Sequence, residues 1–174
     1  MTTRVVLLCE DQSTDTFVRR FLHKRRFTMH DIRTLPLPSG RQSGEQWVRA
    51  RFPDELAAIR QRSNDFLIVV TDADSHTTAE RRAQLDRECD RGGIPQQTAS
   101  DRAIVVVPRR NIETWLEFLD SGVGVDESVT YAKRFSASDH RALADQLTES
   151  ATRNSAFPSP RHRRLPSPAR STGN

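Results

Sequence analysis

Three short, almost wholly apolar runs dominate the chain: Arg4–Cys9 (RVVLLC), Phe66–Thr71 (FLIVVT) and Ala103–Val107 (AIVVV). None alternates between apolar and polar residues, so none fits a strand with one wet face. Continuous runs of this length, rich in β-branched residues, read as strands buried on both sides in a parallel sheet. Helical patterns separate them. Ser13–Phe27 sets Phe17, Val18, Phe21 and Leu22 among arginines, an amphipathic spacing. Glu45–Arg62 is helical in pattern, with Pro53 expected to break or kink it. Thr78–Arg91 is a very polar helix stopped by Gly92-Gly93. Ile112–Leu119 is a short helix with Asn111 as its expected N-cap, and Ser138–Thr148 is a last helix. Asp31–Leu37 is a weaker strand ended by proline, Pro38–Gly44 a loop, and Ile94–Asp101 another. Strands alternating with helices predict an α/β chain with a mainly parallel central sheet flanked by helices, Rossmann-like in architecture.

A length of 174 residues suits one domain with a core that needs no staples. We read residues 1–135 as that domain, 136–150 as a terminal helix, and 151–174 as a disordered tail rich in Arg, Ser and Pro. The tail holds Arg153, Arg161, Arg163, Arg164 and Arg170 and no acid. That leaves 22 of the 27 basic residues against all 23 acids in the body, so the net charge of +4 belongs to the tail. Cys9 and Cys89 are too few for a disulfide framework, which predicts a reducing, cytoplasmic compartment. No run is long enough to span a membrane, and the start of the chain turns acidic too soon for a signal peptide.

In a parallel α/β sheet, ligands bind beyond the carboxyl ends of the strands. Glu10-Asp11 follows the first apolar run, Asp72-Ala73-Asp74 the second, and Arg109-Arg110-Asn111-Ile112-Glu113 the third. One acid after a strand is ordinary helix capping. A Glu, an Asp-x-Asp pair and a further Glu on three successive strands bring like charges together, and a divalent cation is the usual reason to keep them ionised. Carboxylates suit Mg²⁺ or Mn²⁺. Glu10, Asp72, Asp74 and Glu113 are therefore the expected metal ligands and catalytic residues. Arg109 and Arg110 beside them, and Arg19 and Arg20 on the first helix, are the expected contacts to substrate phosphate.

An apolar strand ending in Glu, then a helix, then a later strand ending in Asp-x-Asp resembles the TOPRIM domain of topoisomerases, bacterial primases, recombination proteins and OLD-family nucleases. VVLLCEDQSTDTFVRRFL is similar to its first motif, with Glu10 as the glutamate. FLIVVTDAD is similar to its second, with Asp72 and Asp74 as the pair. IVVVPRRNIETWLEFL resembles a segment of small TOPRIM-like proteins. The sequence departs from the pattern at Asp11, where glycine is usual, and at Thr14, where an acid is usual. No lysine near the end of the core matches the one some OLD nucleases use.

The resemblance implies Mg²⁺- or Mn²⁺-dependent cleavage of nucleic-acid phosphodiesters, with DNA as the expected substrate. It also implies a separate ATPase subunit as partner, as in an ATPase-linked phage-defence system. Tyr131 is the only tyrosine, which disfavours a topoisomerase, and no primase-type zinc module is present. Gly40–Gly44 lacks the Gly-Lys-Ser/Thr of a P-loop. The five histidines show no zinc spacing, and His76 beside the aspartate pair reads as a loop residue. The rival of another class is a non-catalytic TOPRIM-like interaction module in a complex with a separate ATPase, whose acids serve assembly; an oligomer is compatible with either reading. A response-regulator receiver lacks its late Lys-Pro here, and a dehalogenase-like phosphatase lacks Asp-x-Asp-x-Thr.

Overall fold

A computed structural model describes residues 3–37 and 43–153. The first apolar run is β1 (Arg4–Cys9), buried from Val5 onward. It leads into α1 (Gln12–Lys24), β2 (Ile32–Thr34), α2 (Gly44–Arg60), β3 (Asp65–Val70), α3 (Thr78–Arg91), β4 (Ala103–Val106), α4 (Ile112–Ser121) and α5 (Ala137–Arg153). The strands form one sheet in the order β2-β1-β3-β4, and every pairing is parallel. The chain is thus α/β, with a four-stranded parallel sheet flanked by five helices.

Alternation along β1 sorts the core into two layers. Val6 and Leu8 join Leu67, Val69 and Val105 beneath Val48, Phe52, Leu56 and Ile59 of α2 and Leu85 and Cys89 of α3. Val5, Leu7 and Cys9 face the other way, with Ile32 and Val70, against Leu22 of α1. The outer flank of α1 carries a third cluster, in which Phe17 meets Ile112, Leu116 and Leu119 of α4 and Leu143 and Ala144 of α5. Burying one such aliphatic side chain contributes about 1.5–3 kcal/mol, so the two central strands anchor the fold.

Two expectations need correction. Pro53 does not break the second helix: α2 runs through it for 17 residues with Pro53 buried. Packing of Val48, Phe52, Leu56 and Ile59 outweighs the one hydrogen bond that a proline removes. The last helix is longer than expected. It takes in residues 151–153 of the predicted tail, and Thr148, late in it, is buried. Residues 38–42 of the predicted loop and 154–174 of the predicted tail lie outside the described residues. Both cysteines are free and buried. Among the described residues no helix is long and apolar enough to cross a membrane.

The topology fixes where chemistry can sit. After β1 the chain turns to α1 on one face, and after β3 it turns to α3 on the other. The carboxyl ends of β1 and β3 therefore flank the point where the strand order reverses, which is where open α/β sheets hold ligands.

Candidate acidic site at the sheet edge

Glu10 stands at that point. Cys9 pairs with Val70 across the two strands, so Glu10 is level with the residues that leave β3. The Thr71 hydroxyl donates to its Oε1, and the Asp72 backbone N–H donates to the same oxygen at 2.9 Å. Burial still wins over these two hydrogen bonds and pushes the Glu10 carboxyl up to about 7. Asp72 is pushed up to about 8, first by burial and then by the charges of Glu10, Asp74, Asp11 and Glu113. Glu10 and Asp72 thus meet beyond the ends of β1 and β3. The two central acids sit in an environment that disfavours their anions.

Asp11 serves two purposes. Its carboxylate caps α1 by accepting from the Thr14 N–H at 2.9 Å and receives Lys133 Nζ at 3.2 Å. Burial opposes its ionisation, but these hydrogen bonds prevail and its carboxyl lies below the usual range. Lys133 is the cation that meets Asp11. It lies in the segment between α4 and α5, and it feels Glu113 and Asp72 as well as Asp11. Glu113, in the first turn of α4, is 2% exposed, and its Oε2 is buried without a hydrogen-bond partner among the described residues. His140 of α5 is likewise buried, and its Nε2 has no hydrogen-bond partner among the described residues. Burial lowers its imidazole, against the pull of Glu113, Asp11 and Asp139. Sequence reasoning missed both Lys133 and His140, because only the docking of α5 brings them near the strand ends.

The β3–α3 loop is held from two sides. Ala73 N donates to Pro108 O at 2.9 Å and Asp74 N to Arg110 O at 3.1 Å, while Arg110 Nη1 returns to Asp74 O at 2.8 Å. Asp74 takes up a left-handed conformation with φ of 53°, uncommon for a residue with a side chain and a recurrent feature of functional loops. Its side chain is 60% exposed and lies 3.5 Å from Arg81. Glu10 is pressed from the other side by Gly44, the first residue of α2. A Cβ there would overlap the Glu10 carbonyl oxygen and stand 2.9 Å from the Glu10 Cβ, so only glycine permits this approach.

Of the four predicted phosphate contacts, three are engaged in holding the fold. Arg20 forks onto Asp145 of α5 with two bonds of 2.7 Å. Arg19 reaches Asp15 and Thr34. Arg110 spends Nε on Ser128 O at 3.0 Å and Nη1 on Asp74. Arg109 is exposed and close enough to influence Asp126. Two surface depressions lie away from the acids. One is lined by Arg4, Arg33 and Arg62 with polar neighbours. The other lies over α1.

Carboxylate oxygens are the chemistry that a hard divalent cation takes. Glu10 and Asp72, after β1 and β3, have raised pKa values, and Glu113, in the first turn of α4, has a buried oxygen with no hydrogen-bond partner among the described residues. As placed, however, no group of three or more His, Cys, Asp or Glu side chains among the described residues forms a cage for one ion. Mg²⁺ does not require such a cage, since it keeps several waters and often binds through one or two carboxylates together with substrate phosphate. No family model, curated protein or solved structure matches the chain.

Proposed function

We propose that the chain is a TOPRIM-type nuclease that uses Mg²⁺ or Mn²⁺ to cut nucleic-acid phosphodiesters, with DNA as substrate. It acts with a separate ATPase subunit in phage defence. One observation carries the reading above all: Glu10 and Asp72 meet where the strand order reverses, joined by the 2.9 Å bond from the Asp72 N–H, with both carboxyls raised. Glu10, Asp72 and Glu113 are the residues that would hold the ion, with Asp74 beside them. The bound metal supplies an acidified water and stabilises charge on the phosphoryl oxygens.

The chain's own residues supply the rest. Thr71 and the Asp72 amide fix Oε1 of Glu10, so its other oxygen has a defined direction. Lys133 brings a positive charge next to Asp11, where it offsets negative charge gathering on a phosphate. Arg109, which is exposed, would contact the backbone of the nucleic acid.

A second reading, a non-catalytic interaction module, draws on the outward turn of Asp74 and the lack of a three-ligand cage. Plasmid nicking with Mg²⁺ or Mn²⁺ separates the two. Wild-type protein should nick, and Glu10→Gln at equal folded concentration should not. Equal cleavage by both proteins refutes the catalytic assignment. No cleavage by either, with the cognate ATPase present, supports the module.

A further inference from the structure

Arg81 is a buried guanidinium, its side chain 4% exposed, whose donors converge on the backbone between the site aspartates. Nε donates to Asp72 O at 2.8 Å, and Nη2 lies 3.5 Å from both Ala73 O and Asp74 Oδ2. Nη1 donates to Glu45 and to Gln84 Oε1 at 2.6 Å. Helix α3 does not need Arg81 for its own start, because Thr77 and Glu80 already form a complete capping box. A buried cation is costly unless its donors are matched, and here the matching groups are the loop that bears Asp72 and Asp74 and the first turn of α2. That turn begins with Gly44, packed on the Glu10 backbone. A chain of contacts thus runs from Glu10 through Gly44 and Glu45 to Arg81, and from Arg81 to Asp72.

We propose that Arg81 is a positioning residue that fixes the spacing between Glu10 and the Asp72–Asp74 loop, and thereby sets the affinity of this edge for a divalent cation. The proposal rests on the reading that these acids bind such a cation. A lysine at this position keeps the charge but loses the planar fork, so it cannot hold both loop and helix. Removing partners that orient metal ligands costs about 10–100-fold in affinity.

The test is titration of the full chain with Mn²⁺ alone, following free Mn²⁺ by electron paramagnetic resonance, at a temperature where every variant is folded. Arg81→Lys should bind Mn²⁺ at least about tenfold more weakly than wild type. Arg60→Lys, which disturbs a fork onto Asp101 far from the acids, serves as the control: it should lower the melting temperature and leave Mn²⁺ affinity unchanged. Equal affinity in wild type and Arg81→Lys overturns the proposal, as does an equal loss in Arg60→Lys, which would reduce Arg81 to a support of the fold. If Arg81→Lys does not fold, Glu45→Gln decides in its place, with weaker binding expected and unchanged binding overturning the proposal. Absence of Mn²⁺ binding by the wild type refutes the cation reading itself, a result distinct from the others, and the role of Arg81 falls with it.

Discussion

The Asp72 backbone N–H donates to Oε1 of Glu10 at 2.9 Å, across 62 residues of sequence. The bond ties the two central strands together beside two carboxyls that burial pushes up, Asp72 also feeling the charge of Glu10. A glutamine at position 10 keeps an oxygen for this bond and removes the charge. Glu10→Gln should therefore fold and relieve the like-charge stress on Asp72. The metal-free variant should be the more stable protein at pH 8, by about 1 kcal/mol or more, since one pKa unit corresponds to about 1.4 kcal/mol. Nicking activity should fall at least ~10²-fold, the lower range for a positioned acid–base group. Urea denaturation and plasmid nicking on the same preparations check both. A variant that is less stable at pH 8 would show that the Glu10 charge supports the fold rather than strains it.

The raised carboxyls make stability depend on pH. Glu10 and Asp72 ionise near 7 and 8 in the folded chain, but near 4 when unfolded. Between those limits the native state holds more protons, so stability falls as pH rises. Their stabilising contribution is complete below about pH 4 and lost as pH passes 7–8. Metal-free protein should therefore unfold at lower urea at pH 8 than at pH 6, and Asp72→Asn should flatten the difference. Bound Mg²⁺ displaces those protons, so its stabilising effect should grow over the same range. A metal-free stability that climbs from pH 6 to 8 contradicts the environment assigned to the pair.

Much of this was legible in the sequence. The continuous apolar runs mark the strands of a parallel sheet, but only β1 is covered on both faces from Val5 onward; β4 is an edge strand with Ile104 55% exposed. In a parallel sheet the residues after each strand lie at one edge, so Glu10 and Asp72 could be placed together. The supports were not legible. Arg81 shares the buried face of α3 with Leu85 and Cys89, where a charged residue reads as a solvated position, and its strongest tie to the loop is a backbone carbonyl, which sequence does not distinguish. Lys133 is 122 residues from Asp11 and arrives only because α5 folds back on α1. Arg20 looked like one of a cluster of phosphate-binding cations on α1, but α5 carries Asp145 to meet it.

Gly44 offers a test of packing at the site. At the first position of a helix, alanine is otherwise favourable by up to about 1 kcal/mol. Here its Cβ meets the backbone of Glu10, which cannot swing aside as a side chain could. Gly44→Ala should destabilise the protein by about 1–3 kcal/mol, as overpacking does, and reduce nicking by displacing Glu10. Thermal melts and the nicking assay measure the two effects. An unchanged or higher melting temperature would mean that α2 does not press on β1 as described.

Arg20 and Arg109 should behave oppositely. Arg20→Ala removes the fork onto Asp145 and should lower the melting temperature by loosening α5 from α1, with DNA affinity unchanged. Arg109→Ala removes an exposed cation at the active edge. It should leave the melting temperature alone, weaken DNA binding, and reduce the slope of log affinity against log salt by about 1. Fluorescence anisotropy at several salt concentrations distinguishes them. A fall in affinity for Arg20→Ala alone would return the phosphate contact to α1.

The metal itself gives the most direct test. A ligand that binds only the native state stabilises it by about 2.7 kcal/mol at a hundred times its dissociation constant. For a domain of this size that corresponds to roughly 5–10 °C in melting temperature. Mg²⁺ or Mn²⁺ should produce such a rise in wild type. Asp72→Asn combined with Asp74→Asn should abolish it, because the pair loses both charges while keeping its shape. The double variant should also melt higher than wild type without metal at pH 8, since it removes the buried charge of Asp72 that Glu10, Asp11 and Glu113 oppose. Asp74 matters separately. Its side chain is exposed and turned toward Arg81, so it must rotate inward to reach an ion held by Glu10 and Asp72. If it does, Asp74→Asn alone should reduce the metal-induced rise without the metal-free gain expected of Asp72→Asn. An equal rise in wild type and the double variant would place the ion elsewhere and remove the acidic edge from the chemistry.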